Sequence, residues 1–358
     1  MKQTTGTEIV NKYSALALER DYTTPRCNRA RLDTGTFCNY NCEFCYYQGL
    51  LHLKTDYETI LNRIKKLHEY GITQVDLSGG ESSIHKNWFD ILQKCNDKFE
   101  HISTLSNGWR FADEKFLIKS KEHGLKEIMF SLHGYDEESH DTIVDRKGAW
   151  SKIIKAINLA HKHELVVRIN CTVYQKNLPG MEVYPDVIKQ MKPLELNFLT
   201  LNYWTNNVHA DPIDYILATE KIKICIDNLK DHVRYINVRY TPFCFMQGYE
   251  KHVCNQFQHI YDVYDWNKEI FDYSLDTTKQ YTHAEKIDMA YNVAEQDRKD
   301  TYTKPDACTT CKYFNICDGV EKQIPNPEKI IRPVPGKKIK DVNHYRGNFY
   351  GQDSRTSG

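Results

Sequence analysis

Cys38-Asn39-Tyr40-Asn41-Cys42-Glu43-Phe44-Cys45 places three thiols within eight residues, spaced C-x3-C-x2-C, with an aromatic directly before the third. A loop this tight wraps one corner of an iron–sulfur cubane. It supplies three cysteines where a [4Fe–4S] cluster needs four ligands, so one iron stays open. An iron with a free site chelates a small molecule, which is catalytic chemistry rather than plain electron transfer. The alternatives are a structural zinc site and unligated thiols. Zinc knuckles usually pair their cysteines as C-x2-C and use four ligands. Here no fourth Cys or His follows closely, the next His being His52, and the spacing favours the cluster.

A second group lies near the far end. Cys308-Thr309-Thr310-Cys311 and Cys317 read C-x2-C-x5-C, with Cys244 and Cys254 upstream across an irregular, aromatic-rich stretch. Three or four thiols in such a region imply zinc or a second iron–sulfur cluster, and spacing alone does not separate the two. Cys27, Cys95, Cys171 and Cys225 stand singly and read as buried structural residues.

The elements that must position these groups are legible as alternation. Arg31 to Phe37 reads as a strand ending at the first cysteine loop. Thr55-Asp56-Tyr57-Glu58 opens a helix with Tyr57, Ile60, Leu61, Ile64 and Leu67 on one face, ended by Gly71. Strand and helix then alternate to Leu229, six units in all. The strands are Thr73–Ser78, His101–Ser106, Glu127–Leu132, Leu165–Val173 and Glu195–Tyr203. Such alternation means right-handed βαβ units and a parallel sheet, either open and doubly wound or a partial barrel. In such folds ligands sit at the C-terminal ends of the strands. Gly79-Gly80-Glu81 falls on one such end, where two glycines permit close backbone approach and a carboxylate accepts from an ammonium. Asn107, Ser131 and Asn202-Tyr203 fall on others, Asn170 lies on the fifth strand, and Asn202 and Tyr203 are placed to line a polar substrate pocket.

The totals fit a globular α/β protein. The chain has 358 residues, 40% hydrophobic and 27% charged, with 48 basic against 48 acidic side chains. That balance gives no reason to expect nucleic acid as a partner. No apolar run approaches the roughly 20 residues of a membrane span. The N-terminus has no apolar signal core. Twelve cysteines clustered in metal-like spacings then point to a reducing, cytoplasmic compartment.

Cys38, Cys42, Phe44 and Cys45 reproduce the C-x3-C-x-aromatic-C signature, and the chain resembles the radical S-adenosylmethionine (SAM) superfamily over roughly residues 30–230. The resemblance selects the partial (βα)6 TIM-like barrel. It implies that the open iron binds SAM, whose reductive cleavage yields a 5′-deoxyadenosyl radical that abstracts hydrogen from a substrate. It further implies that Gly79, Gly80 and Glu81 hold the SAM amino group, and that Ser131 and Arg146 face its carboxylate or ribose. Asn107 and Asn170 become candidates for the ribose hydroxyls and Phe44 for the adenine. C-x2-C-x5-C resembles a fragment of the SPASM motif, shortened as in the twitch variant, since position 321 is Glu321 and no Cys follows Cys317. This implies one auxiliary [4Fe–4S] cluster on Cys244, Cys308, Cys311 and Cys317. Cys254 is then the alternative fourth ligand, a hydrogen donor to a product radical, or a buried thiol.

The expected organisation is an N-terminal extension (1–30), the barrel (31–235), a smaller loop-rich auxiliary-cluster region (236–324) and a flexible tail (325–358). The expected activity is that of a radical SAM oxidoreductase or isomerase, served by an external one-electron reductant such as a flavodoxin or ferredoxin. The expected substrate is a small polar metabolite such as a sugar, nucleoside or amino-acid derivative. A peptide maturase, forming a crosslink or oxidising a side chain, is the alternative, and a non-catalytic metal scaffold a third.

Overall fold

The computed structural model of the chain describes residues 18–202, 210, 213–270 and 272–347. The chain divides into two compact units. The first comprises residues 28–237 and 270–280, and the second residues 1–27, 238–269 and 281–358.

In the first unit the strands are β1 (Arg29–Asp33), β2 (Gln74–Ser78), β3 (His101–Ser106), β4 (Leu125–Ser131), β5 (Val166–Val173) and β6 (Glu195–Thr200). Each pairs in parallel with the next. The intervening helices are α1 (Tyr57–Glu69), α2 (Trp88–Asn96), α3 (Glu114–Glu122), α4 (Glu137–Ile143), α5 (Ala149–Lys162), α6 (Tyr184–Met191) and α7 (Tyr215–Leu229). The order continues through β7 (Tyr235–Arg239) to the two-residue β8 (Val253–Cys254), so eight strands follow one another in sequence order. This is the partial barrel that the resemblance selected from the two sheets the alternation allowed.

Helix starts follow local chemistry. Asp56, not Thr55, caps α1, accepting from the Thr59 amide at 2.9 Å. Ile60, Ile64 and Leu67 form its buried stripe. Helix α4, absent from the six-unit reading, starts at a capping box between Asp136 and Ser139.

The barrel floor is ionic. Arg29 Nη1 lies 2.6 Å from Asp76 Oδ1 and 3.0 Å from Glu127 Oε1, and Arg168 Nη1 lies 2.6 Å from the same Glu127 oxygen. Arg168 also pairs with Glu195, which accepts from Asn237 Nδ2 at 2.7 Å. These side chains, one per strand from β1 to β7 with Ser103 on β3, are all buried. The two guanidiniums hold the Glu127 carboxyl well below the usual range against the opposing effect of burial.

The second unit is less irregular than expected. It contains α8 (Gln256–His259) and the 19-residue α9 (His283–Thr301), which opens with a Thr282/Glu285 capping box. A short hairpin joins β9 (Tyr302–Thr303) to β10 (Val320–Glu321), and α10 spans Pro327–Ile330. Residues 325–347, expected as part of a flexible tail, are folded in. Val342 and Arg346 are buried, and Arg346 reaches Asp262 at 3.3 Å.

Candidate active site

Two backbone segments meet at the head of the barrel. After β1 the chain runs through Gly35–Phe37 into Cys38. The loop after β2 docks on that run, the Gly80 amide donating to the Gly35 carbonyl and the Glu81 amide to the Phe37 carbonyl, each at 2.9 Å. A Cβ on Gly79 would lie 2.0 Å from the Gly35 carbonyl oxygen, and one on Gly80 2.0 Å from that of Phe37. Gly79 also has φ +125°. Both glycines are therefore dictated by the crossing of the two loops. The cysteine loop closes on itself as well, Phe37 and Cys38 donating to Leu53 and Leu51 at 2.9 and 3.0 Å.

Glu81 is buried, and its carboxylate faces the end of β3. It accepts from the Asn107 amide at 2.7 Å, from Ser106 Oγ at 3.0 Å, and from the Ser83 amide and hydroxyl. Burial pushes its carboxyl up, opposed by these donors. Asn107 in turn supports the cysteine loop, its Nδ2 donating to Asn39 Oδ1 at 2.8 Å and lying 3.9 Å from Cys38 Sγ. Arg146 is exposed and lies over the Trp109 ring at 4.6 Å, while Trp109 packs edge-on against Tyr40. Asn41 ties the loop to the same segment through the Val144 carbonyl and Asp145.

Burial raises all three thiols. Cys38 is pushed up to about 12, with Glu81 and Cys45 adding to burial, and Cys42 is raised further by Cys38 and Cys45. A shared metal cation reverses the shift by favouring thiolate. The Tyr40 amide already donates to Cys38 Sγ at 3.4 Å. Three thiols with no fourth ligand among the described residues fit a cluster with one open iron.

Phe44, between Cys42 and Cys45, packs edge-on against His133 at 4.7 Å and Tyr174 at 5.4 Å. His133, two residues past the end of β4, carries no motif that marks it in the sequence. It is buried, its Nδ1 accepts from the Thr172 amide at 3.0 Å, and burial and His140 hold it well below its usual range. The imidazole is therefore neutral with its proton on Nε2. Ser131 is half-buried, and its hydroxyl has no partner among the described residues. Asn170 Oδ1 accepts from Asn197 Nδ2 at 3.0 Å, and Asn197 Oδ1 from Asn237 at 3.1 Å, an amide ladder across β5, β6 and β7. Asn202 is half-buried, and Tyr203 lies outside the described residues.

The second unit brings together the other cysteines. Cys244, Cys308, Cys311 and Cys317 line one cavity with Lys304, Tyr313, Ile331 and Pro333. Burial pushes Cys244 up to about 12, and Cys317, Cys311 and Cys308 all add to it. Backbone amides point at the sulfurs, Gly319 to Cys317 Sγ and Val334 to Cys311 Sγ, both at 3.4 Å. Ile331–Ile339 wraps this pocket, pairing with Lys312 through Val334 and Ile339 at 2.7 and 2.9 Å. Arg298 pairs with Asp318 at 3.1 Å and donates to the Cys317 carbonyl. Four thiols with amide donors fit a metal centre ligated entirely by the protein. Lys304 is buried among them. Burial and Arg298 lower its ammonium to about 7, while negative charge at Cys317, Asp318 and Cys308 works the other way.

Cys254 lies outside this cavity. Its sulfur sits 3.6 Å from Arg239 Nη1 and 3.6 Å from Asp262 Oδ2. Its thiol, with His259 and Asp265, forms a grouping of metal-ligand size. The Arg239 guanidinium occupies it, bonding His259 Nε2 at 3.0 Å and pairing with Asp265. Cys27, Cys95, Cys171 and Cys225 are buried.

Residues 32–177 match the family model described as the radical SAM superfamily. This segment is a radical SAM domain. The domain includes the cysteine loop, the Gly79-Gly80-Glu81 turn, Asn107, Ser131 and Asn170. Among curated relatives, the antilisterial bacteriocin subtilosin biosynthesis protein AlbA of Bacillus subtilis is 26% identical over 169 residues, 46% of this chain and 37% of AlbA. A probable GTP 3′,8-cyclase of Thermoplasma volcanium is 25% identical over 207 residues, 57% of this chain and 61% of the cyclase. The chain thus matches less than two thirds of either relative's length. Streptococcus suis SuiB, solved bound to precursor peptide SuiA, aligns with a TM-score of 0.56 at 16% identity, covering 84% of this chain and 74% of SuiB. The likeness to SuiB is one of fold. The cofactors of such a domain are a [4Fe–4S] cluster and SAM. No helix among the described residues is long and apolar enough to cross a membrane.

Proposed function

We propose that the chain uses the radical SAM domain to remove a hydrogen atom from an unactivated C–H bond of a peptide side chain, with a second, closed cluster in its other unit. When bound, the first cluster and SAM supply a 5′-deoxyadenosyl radical. The observation carrying this reading is the three-thiol loop locked by the glycine turn, with no fourth protein ligand among the described residues. In it, Cys38, Cys42 and Cys45 hold the cluster. Gly79 and Gly80 let the β2 loop approach it. Glu81 Oε2 accepts from the Asn107 amide alone among the described residues, which leaves this oxygen a second lone pair for the SAM ammonium. Ser131, with an unused hydroxyl, and Asn170, with an amide partner on one side only, are placed for the SAM carboxylate and ribose. Arg146 stands beside the loop on Trp109 for the same carboxylate, and Phe44 and Asn107 act by shaping the loop. Cys244, Cys308, Cys311 and Cys317 hold the auxiliary cluster. Four protein ligands leave it no open iron, so electron transfer suits it better than substrate anchoring. An external one-electron reductant completes the system.

The peptide reading is supported by SuiB, solved with its precursor peptide and similar over most of both chains, and by AlbA, a bacteriocin biosynthesis protein. A small polar metabolite is the second reading. The cyclase relatives favour it, as do the Asn170–Asn197–Asn237 ladder and Asn202 just past the end of β6. The test is anaerobic incubation with SAM and dithionite. It offers candidate peptides and nucleotides with deuterated C–H positions and measures deuterium in the released 5′-deoxyadenosine. Label from a peptide supports the first reading, label from a nucleotide or sugar the second. No nucleoside release from a fully loaded protein would sink both and leave the scaffold.

A further inference from the structure

Lys304 is at odds with its surroundings unless the thiol cavity holds an anion. The side chain is 2% exposed. Among the described residues its ammonium donates to one acceptor, the Phe314 carbonyl, and lies 4.7 Å from the Phe314 ring centroid. It has three N–H donors and no ion-pair partner there. The carboxylate that acts on its charge, Asp318, is already engaged by Arg298 and by the Gln256 amide at 2.9 Å. An unpaired buried ammonium costs several kcal/mol of desolvation. Such a group persists where something else compensates its charge. The remaining lining of the cavity is four thiols and apolar side chains. Four thiolates around a [4Fe–4S] core carry net negative charge, one unit more when the cluster is reduced.

Resting on the auxiliary-cluster reading above, we propose that Lys304 is the buried counter-cation of that centre and raises its reduction potential by favouring the more negative, reduced state. Arg298 is less suited to this, because its charge is already answered by Asp318. Lys304 is thus a positioning and tuning residue.

The test uses the full chain carrying Cys38→Ala, Cys42→Ala and Cys45→Ala, so that only the second centre remains, titrated with dithionite and mediators and followed by electron paramagnetic resonance. K304M removes the charge at similar volume, and K304R keeps it. The expected result is a lower potential in K304M by 59 mV or more, a tenfold shift of a one-electron equilibrium, with K304R close to the parent. An unchanged potential in K304M would overturn the proposal. Should K304M lose its iron while K304R retains it, the charge requirement stands. Loss of iron in both would show that shape rather than charge matters, and would also overturn it. Zinc in place of iron in the parent would refute the cluster reading separately. Metal release to a chelator then decides the charge question, with faster release from K304M than from K304R expected and equal rates contrary to the proposal.

Discussion

The two thiol groups solve opposite problems. Cys38, Cys42 and Cys45 come from one eight-residue loop, are only half-buried, and leave a coordination position unused. Cys244, Cys308, Cys311 and Cys317 come from segments up to 73 residues apart, are all buried, and complete a set of four. The first is pinned from below by backbone, through two glycines that admit no Cβ. The second is enclosed by side chains, amides and a wrapping segment. A reactive centre needs an opening and a rigid base. A centre that only passes electrons needs enclosure and charge balance.

The sharpest way to break this contrast is to remove the triad. Cys38→Ala/Cys42→Ala/Cys45→Ala should abolish 5′-deoxyadenosine release and lower iron from about eight to about four per chain. Equal iron in parent and variant would mean the two sets do not hold separate cubanes. The next largest effect concerns the floor beneath the triad. Glu127→Gln leaves Arg29 and Arg168 short of a carboxylate and should destabilise the chain by about 3–5 kcal/mol, read from denaturant unfolding. The Glu127 pKa is depressed in the folded state, so its contribution is present above the unfolded value near 4.3. It is lost as pH falls through the folded value. The unfolding midpoint of the parent should therefore drop on acidification below about pH 4 by more than that of Glu127→Gln.

Gly80→Ala should cost about 1–3 kcal/mol by driving apart the two loops. It should deplete the triad's iron while leaving that of the second centre. Depletion of both centres alike would show that the glycine serves general stability. Cys244→Ala should lower iron at the second centre with the triad's SAM cleavage retained. The smallest effect belongs to Cys254→Ala. With its thiol held between Arg239 and Asp262, iron content should not change, and any loss of product with SAM cleavage intact would restore a hydrogen-donor role.

The legible parts of the molecule were the local ones. Ligand spacing in the triad is local, and so are the helix faces and the strand–helix alternation, so they show in the sequence. The glycine turn was visible as residues, but its reason is the 2.0 Å approach of Gly35 and Phe37, which no linear pattern encodes. The ionic floor was invisible because Asp76, Glu127, Arg168 and Glu195 look like solvent-facing positions of strands until their partners arrive from neighbouring strands. Helix α9 carries its signals, the Thr282/Glu285 box and Ile287, Ala290, Tyr291 and Ala294 at helical spacing, yet its polar composition masks the stripe. Residues 325–347 read as a tail from their prolines and lysines, although Ile331 and Pro333 line the thiol cavity and the Val334 amide meets Cys311. Lys304 carries no sequence signal, since its meaning lies wholly in its burial.

The wrapping segment also fixes an order of manufacture. The triad and its glycine turn leave the ribosome early, whereas Val334, whose amide meets Cys311, follows Cys45 by about 290 residues, roughly 15–60 s at 5–20 residues per second. Until then the four-thiol cavity lacks a wall. Under the two-cluster proposal, delivery of metal to this cavity is a late event, separable in time from loading of the triad.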